Sequence, residues 1–412
     1  MRGHLVGARR AWLKLALVIP ALLACGTSST VLGGSGGGTP APTPTHTPIH
    51  APLHAIAWAQ QDTTGIPQIW ASVNDGPPTQ ITHETGSPAD CGALIFGAPM
   101  FSPDLRHIAV ADGGTCGDGI VSGSLYVVDA STGAKAKVPL PGGGSVRTNT
   151  RSYGWIDNNT MFAVGYFGSG PGGATYTLGA GAATALPGLP SNLTDAVARG
   201  STLFYAQEVD STVAGGYPQY HTYLHRYNLT THAVLPGSID QGAFDMCMCS
   251  PGDFHLPGWD VSADGAHVVY QSVTPQTPTG SSTGIASQAI YYANVDGSGR
   301  TQIVQYMVTH RAVRMRLSPD GHLVGITEAA DTPDVLSGCV NSPGLHGDPC
   351  LQFYSPDAFA YPAWHWDGAW MVATTTPPAA DWAKMGILYQ YTPTHFTGTM
   401  FAASGYSPWS TP

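Results

Sequence analysis

Residues 259–272, WDVSADGAHVVYQS, and residues 288–305, QAIYYANVDGSGRTQIVQ, carry the clearest structural pattern of this 412-residue chain. A short apolar segment leads into a Ser-Ala-Asp-Gly turn, and the segment after it is rich in the β-branched and aromatic residues that favour strands. An Asp-Gly pair then separates two further strand-like segments, and such pairs supply the positive φ that tight hairpins need. The stretch therefore predicts four short antiparallel strands in sequence order.

The same unit recurs along the chain. FSPDLRHIAVA at residues 101–111, followed by SLYVVDASTG at 124–133, is one clear copy, and LSPDGHLVGIT at 317–327 is another. The copies at 151–190 and 196–236 are degenerate. A repeated small sheet must bury its faces against neighbouring copies, which is typical of radial β architectures.

These strings resemble the WD40-like repeats of the TolB periplasmic β-propeller family and of the propeller domains in prolyl-oligopeptidase-like peptidases. The resemblance covers residues 53–412 and implies an all-β propeller. TolB-like propellers generally serve protein–protein interaction, so the resemblance also implies a protein-binding module. It does not imply the Tol system, because the amino-terminal domain of TolB has no counterpart in this sequence.

Strand counting predicts seven four-stranded blades. The predicted second strands are 55–60, 107–111, 161–166, 202–207, 267–272, 322–327 and 369–374, and the third strands are 68–73, 124–129, 174–179, 222–227, 289–294, 351–355 and 387–392. First strands number six, and GYSPWS at 405–410 supplies the seventh. We therefore expect the C-terminal strand to pair with the first blade and close the ring, which removes free sheet edges. Six or eight blades remain alternatives because two copies are degenerate.

The N-terminus has the order of features of a bacterial lipoprotein signal. Four basic residues precede the apolar run LALVIPALLA at 15–24, and Leu22–Gly26 resembles a lipobox; the basic residues are Arg2, Arg9, Arg10 and Lys14. The run is too short for a membrane-spanning helix but suits a signal peptide. We therefore predict a signal peptide at 1–24, lipidation of Cys25, and an extracytoplasmic protein anchored to a bacterial membrane. The alternative is an ordinary secretory signal with an incidental cysteine.

Residues 25–52 are rich in Gly, Ser, Thr and Pro and predict a linker, which leaves residues 53–412 for the propeller. His46, His50 and His54 are spaced four apart, but the prolines between them exclude the helix that would place them on one face. We therefore expect no metal site there, and the sequence predicts no cofactor.

The predicted loops fall into two sets of unequal length. In each blade, the turns between strands one and two and between strands three and four are short. The loops at the opposite end are long, at 84–97, 112–123, 208–221, 239–257, 273–287, 328–350 and 375–385. Long loops on a rigid scaffold commonly carry function, so this face is predicted to bind a protein partner. The alternative is that the loops only cover the end of the central channel.

Six cysteines follow Cys25, and all lie in the long loops. The even number fits disulfide bonding in an oxidising compartment. Cys91 can meet Cys116, and Cys339 can meet Cys350, which leaves Cys247 and Cys249 for a tight bridge. The rival interpretation of the last two is a metal or redox pair with His255 as a third ligand.

Aromatic and acidic side chains elsewhere are predicted to be structural. The late aromatic cluster, with His365 inside it, is expected to pack between blades, although stacking on a sugar or peptide is an alternative; its tryptophans are Trp364, Trp366, Trp370 and Trp382. Asp104, Asp264 and Asp320 lie in tight turns and are predicted to bond backbone amides rather than to act in catalysis.

Charge and motifs narrow the class of protein to which this chain can belong. A net charge of −10, with few clustered Lys or Arg after residue 14, disfavours nucleic-acid binding. The sequence favours a surface-anchored binding or scaffold module over an enzyme, and no catalytic residue is predicted. The alternatives are a hydrolase or lyase that uses the central pocket, and a carbohydrate or cell-wall binder.

Overall fold

The structure is a computed structural model of the chain. It describes residues 52–85, 97–112, 122–147, 151–167, 172–191, 193–212, 218–245, 258–275, 285–306, 310–330, 336–341, 362–375, 387–392, 395–402 and 406–410. The chain separates into two units, Met1–His50 and Ala51–Pro412, and every described residue belongs to the second unit. No helix among the described residues is long and apolar enough to cross a membrane.

The described residues form strands that we number β1 to β28 in chain order, together with a short 3-10 helix, Pro141–Gly143. The strands of the first half are β1 (Ala55–Gln61), β2 (Pro67–Val73), β3 (Thr79–Gln80), β4 (Met100–Phe101), β5 (His107–Asp112), β6 (Ser122–Asp129), β7 (Lys135–Lys137), β8 (Ser145–Arg147), β9 (Tyr153–Trp155), β10 (Thr160–Tyr166), β11 (Gly173–Thr177), β12 (Thr184–Ala185), β13 (Leu193–Arg199) and β14 (Thr202–Thr212).

The strands of the second half are β15 (Pro218–Asn228), β16 (Ala233–Asp245), β17 (Trp259–Val261), β18 (His267–Pro275), β19 (Ile285–Asn294), β20 (Thr301–Tyr306), β21 (His310–Leu317), β22 (Val324–Ala330), β23 (Leu336–Asn341), β24 (Ala363–Trp364), β25 (Met371–Thr375), β26 (Ile387–Thr392), β27 (His395–Ala402) and β28 (Tyr406–Ser410).

Neighbouring strands form antiparallel meanders, as the repeats predict. Within the described residues we name them sheet 1 (β28, β1, β2, β3), sheet 2 (β4 to β7), sheet 3 (β9 to β12), sheet 4 (β13 to β16), sheet 5 (β17 to β20), sheet 6 (β21 to β23) and sheet 7 (β24 to β27). Strand β8 pairs with both β6 and β10 and so bridges sheets 2 and 3. A single parallel bridge between Gly242 and Val273 joins sheets 4 and 5.

The predicted pairing of the C-terminal strand with the first sheet is present. β28 runs antiparallel to β1, with Ile56 opposite Ser410 and Ala57 opposite Trp409. The all-β class is confirmed, whereas a seven-bladed closed ring remains a prediction.

Two details of the predicted strand layout were wrong. The strand that pairs with β22 is β23, a segment predicted to be loop, and the predicted strand at 351–355 lies outside the described residues. Several loops of the long set are also partly strand: β14 and β15 pair from Thr202–Asn228 to Thr212–Pro218, and β16 continues to Asp245. Two strands in register satisfy each other's backbone groups, so a hairpin can extend past the sheet core without apolar alternation.

Apolar clusters lie between each described pair of neighbouring sheets from 1 to 6, and between sheets 7 and 1. Alternate residues of one strand face opposite neighbours, so Ile108 packs towards sheet 1 and Ala109 towards sheet 3. Representative cluster partners are Ile69 and Ile108, Leu125 and Met161, Val164 and Leu203, Phe204 and Val268, Val269 and Met315, and Trp58 and Val372. Burial between sheets is therefore what holds the meanders together.

The turn after β6 gives a pH-dependent contribution to stability. The Asp129 carboxylate accepts bonds from the hydroxyl groups and backbone N–H groups of Ser131 and Thr132, which lower its pKa to about 2. Because the folded-state pKa is depressed, the contribution is present above the ordinary pKa of about 4 and is lost as the pH falls towards 2. We expect D129N to lose less stability than the unmodified chain between pH 5 and pH 2.5, measured by urea unfolding.

Asparagine is a suitable replacement because Asn228 makes the equivalent turn after β15. Its side-chain oxygen accepts the backbone N–H groups of Thr230 and Thr231 at 2.9 and 2.8 Å. Identical pH profiles for D129N and the unmodified chain would contradict the proposed role of the carboxylate.

Candidate functional site

The turn between the first and second strands is built in the same way in sheets 2, 5 and 6. A serine hydroxyl donates to the aspartate two residues later, in the pairs Ser102–Asp104 (2.7 Å), Ser262–Asp264 (2.5 Å) and Ser318–Asp320 (2.5 Å). Each aspartate also accepts a backbone N–H. Burial opposes ionisation, but these bonds outweigh it and hold the pKa of each aspartate below its ordinary value. The three aspartates therefore stabilise turns, as predicted.

Sheet 7 carries a variant of this turn in which His365 stands where the others have serine. Its Nδ1 lies 2.5 Å from Asp367 Oδ1, which also accepts the backbone N–H of Ala369 at 2.8 Å. Burial opposes ionisation of Asp367, but these bonds outweigh it and place the pKa of Asp367 below its ordinary value. Unlike a serine hydroxyl, the imidazole has a second nitrogen, Nε2, and this atom points away from the turn towards sheet 1.

Nε2 of His365 lies 2.9 Å from Oδ1 of Asp75, and Nε2 of His54 lies 3.2 Å from Oδ2 of the same carboxylate. Both imidazoles are buried, with 7% and 8% of their side chains exposed, whereas the Asp75 side chain is 57% exposed. The three side chains offer one ligand atom each, all within 4.8 Å of one another. We call this set the His–Asp–His cluster.

Local structure places the two members of the cluster that belong to sheet 1. Asn74 and Asp75 form the turn after β2 with φ values of 48° and 58°, a left-handed conformation that Asn and Asp tolerate. The backbone N–H of Asn74 donates to the His54 carbonyl at 2.9 Å, and the His54 N–H donates to Asn74 Oδ1 at 3.2 Å. These bonds hold His54 beside Asp75. Of the three histidines excluded as a helical metal site, His54 thus reaches ligand partners elsewhere in the chain.

Aromatic rings surround the cluster. Trp370 stacks on His365 with ring centroids 4.4 Å apart, and Trp366 lies 5.6 Å from the rings of both His54 and His365. Trp364 is buried and donates from Nε1 to the Arg316 carbonyl at 3.0 Å, so it packs between sheets as predicted. Trp382 lies outside the described residues.

A second polar set is buried among the first strands of sheets 3 to 6. Arg151, 1% exposed, donates from Nη2 to Asp195 Oδ2 at 2.7 Å and from Nη1 to Asp260 Oδ1 at 2.6 Å. Asp260 Oδ2 also accepts the backbone N–H of Leu317 at 2.8 Å. The Arg151 guanidinium stacks over Trp259, 4.3 Å from the ring centroid. This network, which we call the Arg151 network, joins strands that are distant in sequence.

The Arg151 network was not recognised from the sequence. Arg151 lies two residues before β9, and Asp195 and Asp260 lie in the first strands of sheets 4 and 5; their neighbours in the chain do not reveal which strands become adjacent. The one sequence signal was the charge itself, since charged residues within apolar strand segments are rarely buried unless they are paired.

The long-loop face is only partly inside the described residues. On it, the hairpins of sheets 4 and 5 extend beyond their sheet cores, as described above. Half-buried rings form a row along β15, with His221 stacked on Tyr223 at 5.9 Å and His225 stacked on Tyr205 at 5.3 Å. Burial lowers the pKa of His225 below its ordinary value, so that imidazole favours its neutral form.

Most predicted modification sites lie outside the described residues. These are Cys25, Cys91, Cys116, Cys247, Cys249 and Cys350. Cys339 lies in β23, opposite Ile326 of β22. Lipidation and the disulfide pairings therefore stay predictions.

Comparisons with known proteins address only the fold. No protein-family model and no curated protein sequence matches the chain. An oligogalacturonate lyase from Vibrio parahaemolyticus matches with 12% identity and a TM-score of 0.50, covering 86% of this chain and 85% of that one. TolB from Acinetobacter baumannii matches with 13% identity and a TM-score of 0.46, covering 87% of this chain and 66% of that one. At these identities the likeness concerns the fold alone, and TolB structures are among the matches, as the repeats led us to expect.

Proposed function

We propose that sheets 1 to 7 are the blades of a closed seven-bladed propeller, and that lipidated Cys25 and the linker hold it on the outer side of a bacterial membrane. There it serves as a protein-binding scaffold. The lipoprotein part rests on the N-terminal sequence: basic residues, an apolar run and a cysteine after Leu-Leu-Ala.

Closure of the ring is supported by contacts among the first strands of the sheets. β28 lies against β4, β4 against β9, β9 against β13, β17 against β21, β21 against β24, and β24 against β28. The remaining pair of neighbours, β13 and β17, is joined by Arg151, which binds Asp195 of β13 and Asp260 of β17. These contacts support a circuit of first strands, which is how the innermost strands of a propeller are arranged.

The observation that carries the binding proposal is the difference between the two ends of the sheets. One end carries tight turns, and those of sheets 2, 5, 6 and 7 repeat the same Ser–Asp or His–Asp bonding, which suits a structural role. At the other end, hairpins differ in length from sheet to sheet, and the β14–β15 ladder continues to Thr212 and Pro218. Variable extensions on an invariant scaffold are the usual arrangement of a binding surface.

Polar interactions at the inner strands agree with a scaffold role. The ionised groups of Arg151, Asp195 and Asp260 are bound to one another and are almost fully buried. Arg316 Nε lies 3.7 Å from Asp260 Oδ2, so two guanidinium groups face the two carboxylates, and a buried network satisfied in this way rigidifies the structure that presents the hairpins.

Two exposed valines of sheet 4 allow a direct test. Val209 is 39% exposed on the extended hairpin, and Val234 is 46% exposed near the tight turn at the opposite end of the same sheet. A photo-crosslinking amino acid would be placed at each position in separate full-length variants expressed in the native host. We expect irradiation to crosslink a partner protein from position 209 and not from position 234.

The two positions form a matched pair because they share residue type, sheet and comparable exposure. Equal crosslinking from both, or from 234 alone, would contradict the proposed face. Crosslinking of position 209 to cell-wall glycan instead of protein would favour the carbohydrate-binding alternative.

A further inference from the structure

The His–Asp–His cluster joins three segments that are far apart in the chain: the residue before β1, the turn after β2 and the first turn of sheet 7. We propose that His54, Asp75 and His365 bind a Zn²⁺ ion that fastens sheet 7 to sheet 1. The sequence alone predicts no metal ligands, and the His–Asp–His cluster is the reason to revise that prediction.

The hydrogen bonds of the His54 and His365 imidazole rings indicate which ring nitrogen carries a proton and which one faces the Asp75 carboxylate. Nδ1 of His54 lies 2.8 Å from the carbonyl oxygen of Pro52, which can only accept, so Nδ1–H is the donor. Nδ1 of His365 likewise donates to the Asp367 carboxylate. A ring with its single proton on Nδ1 has its lone pair on Nε2, directed at Asp75, which lies 2.9 Å from Nε2 of His365. Zinc-binding histidines are oriented in this way, with the other ring nitrogen donating to a carbonyl or carboxylate.

Two imidazole lone pairs and a carboxylate that converge in this way repel one another unless a cation or a proton lies between them. In the described part of the chain, Nε2 of the buried His54 makes no hydrogen bond, because the 3.2 Å approach to Asp75 Oδ2 lies outside hydrogen-bond geometry. A cation shared by the three ligands meets this requirement.

The distances suit a small cation. Ligands about 2.0–2.1 Å from a tetrahedral zinc are about 3.3 Å from one another. The Asp75 oxygens lie 2.9 Å from His365 Nε2 and 3.2 Å from His54 Nε2, which is close to that value, so small side-chain movements would admit the ion. Two nitrogens and one oxygen leave a fourth position, and the exposure of Asp75 opens it to water. Imidazole ligands favour Zn²⁺ over the oxygen-seeking Mg²⁺ and Ca²⁺.

Comparison with the other turns shows that His365 is not needed for the turn itself. Ser102, Ser262 and Ser318 make the same bond to the following aspartate with a hydroxyl group. The imidazole adds to this bond the reach to Asp75. The substitution H365S should therefore keep the turn and remove one ligand.

The test uses full-length chain in detergent, without a histidine tag, titrated with ZnCl₂ after treatment with EDTA. We expect the unmodified chain to bind one more equivalent of Zn²⁺ than H365S, or to bind that equivalent about 100-fold more tightly. D75N should show the same loss, and its turn should persist because asparagine also tolerates positive φ. Zn²⁺ should raise the midpoint of thermal unfolding of the unmodified chain and leave that of both variants unchanged.

H83Q is the matched control, since His83 is an exposed histidine of the same part of the chain outside the cluster. It should bind Zn²⁺ as the unmodified chain does. Unfolding midpoints in EDTA establish that the variants are folded; should H365S not fold, D75N decides the question. Equal zinc stoichiometry and affinity in the unmodified chain and D75N would overturn the proposal, as would equal stabilisation by Mg²⁺. The crosslinking test above is independent of this result.

Discussion

Replacing Arg151 with methionine should lower the free energy of unfolding by about 3–5 kcal/mol, which is the cost of removing one partner from a buried ion pair. The guanidinium is 1% exposed and is bound to Asp195 and Asp260. Methionine fills similar space but leaves both carboxylates without that cation in a site sheltered from water. The loss would be measured by urea unfolding followed by tryptophan fluorescence.

The control for charge removal is R106M, because Arg106 is 80% exposed and faces Asp104 at 3.7 Å. Exposed ion pairs contribute little to stability, so R106M should change the free energy of unfolding by no more than about 0.5 kcal/mol. Replacing Arg151 and Asp195 together with apolar residues should cost less than R151M alone, because Asp195 is then not left as a buried charge and Asp260 keeps Arg316 Nε at 3.7 Å. A loss below about 1 kcal/mol for R151M would show that the Arg151 network is not a main structural element.

Replacing Trp58 with alanine should cost about 3–5 kcal/mol, the usual range for deleting a large aromatic side chain from a core. Trp58 is fully buried, and its cluster combines Ile56 of sheet 1 with Ala363 and Val372 of sheet 7. Its Nε1 donates to Gln60 Oε1 at 3.0 Å, and that bond is also lost. This cluster lies between sheets 1 and 7, so the stability lost in W58A reports on the packing that would close a ring.

The same unfolding curves separate two possibilities for the ring. If the first and last sheets belong to one cooperative unit, W58A shifts a single transition to lower urea. A separate early transition would mean that these sheets detach before the others unfold, which would contradict a closed ring as the stable unit. V234A, which truncates an exposed valine, is the reference variant, and its free energy of unfolding should change by no more than about 0.5 kcal/mol.

The repeats predicted most of the sheet structure because their signals are local. An Asp-Gly turn, or a serine two residues before an aspartate, forms its bonds within about five residues, so the sequence contains all the participants. The same holds for the alternation of apolar residues in β5 and β18, which specifies two buried faces for each strand. The C-terminal strand was found for the same reason, since GYSPWS resembles the first strand of the other units.

The candidate site could not be predicted in this way. The sequence predicts a structural role for His365, which lies between two tryptophans, and excludes His54 together with His46 and His50 because the intervening prolines prevent a helix. His365 and Asp75 are 290 positions apart, and Arg151 and Asp260 are 109 apart. Nothing in a local pattern specifies which distant turns become neighbours.

The all-β class, the succession of small antiparallel meanders and the turns between their strands can be read from the sequence, because backbone conformation and hairpin pairing depend on nearby residues. The sequence also contains the features that predict a lipidated N-terminus and a linker. Packing of the folded chain is what places sheet 7 beside sheet 1, binds Arg151 to carboxylates of two other sheets, and brings two histidines to one carboxylate. These outcomes depend on the packing of apolar faces between sheets, which acts over the whole chain and brings together residues that no spacing rule connects.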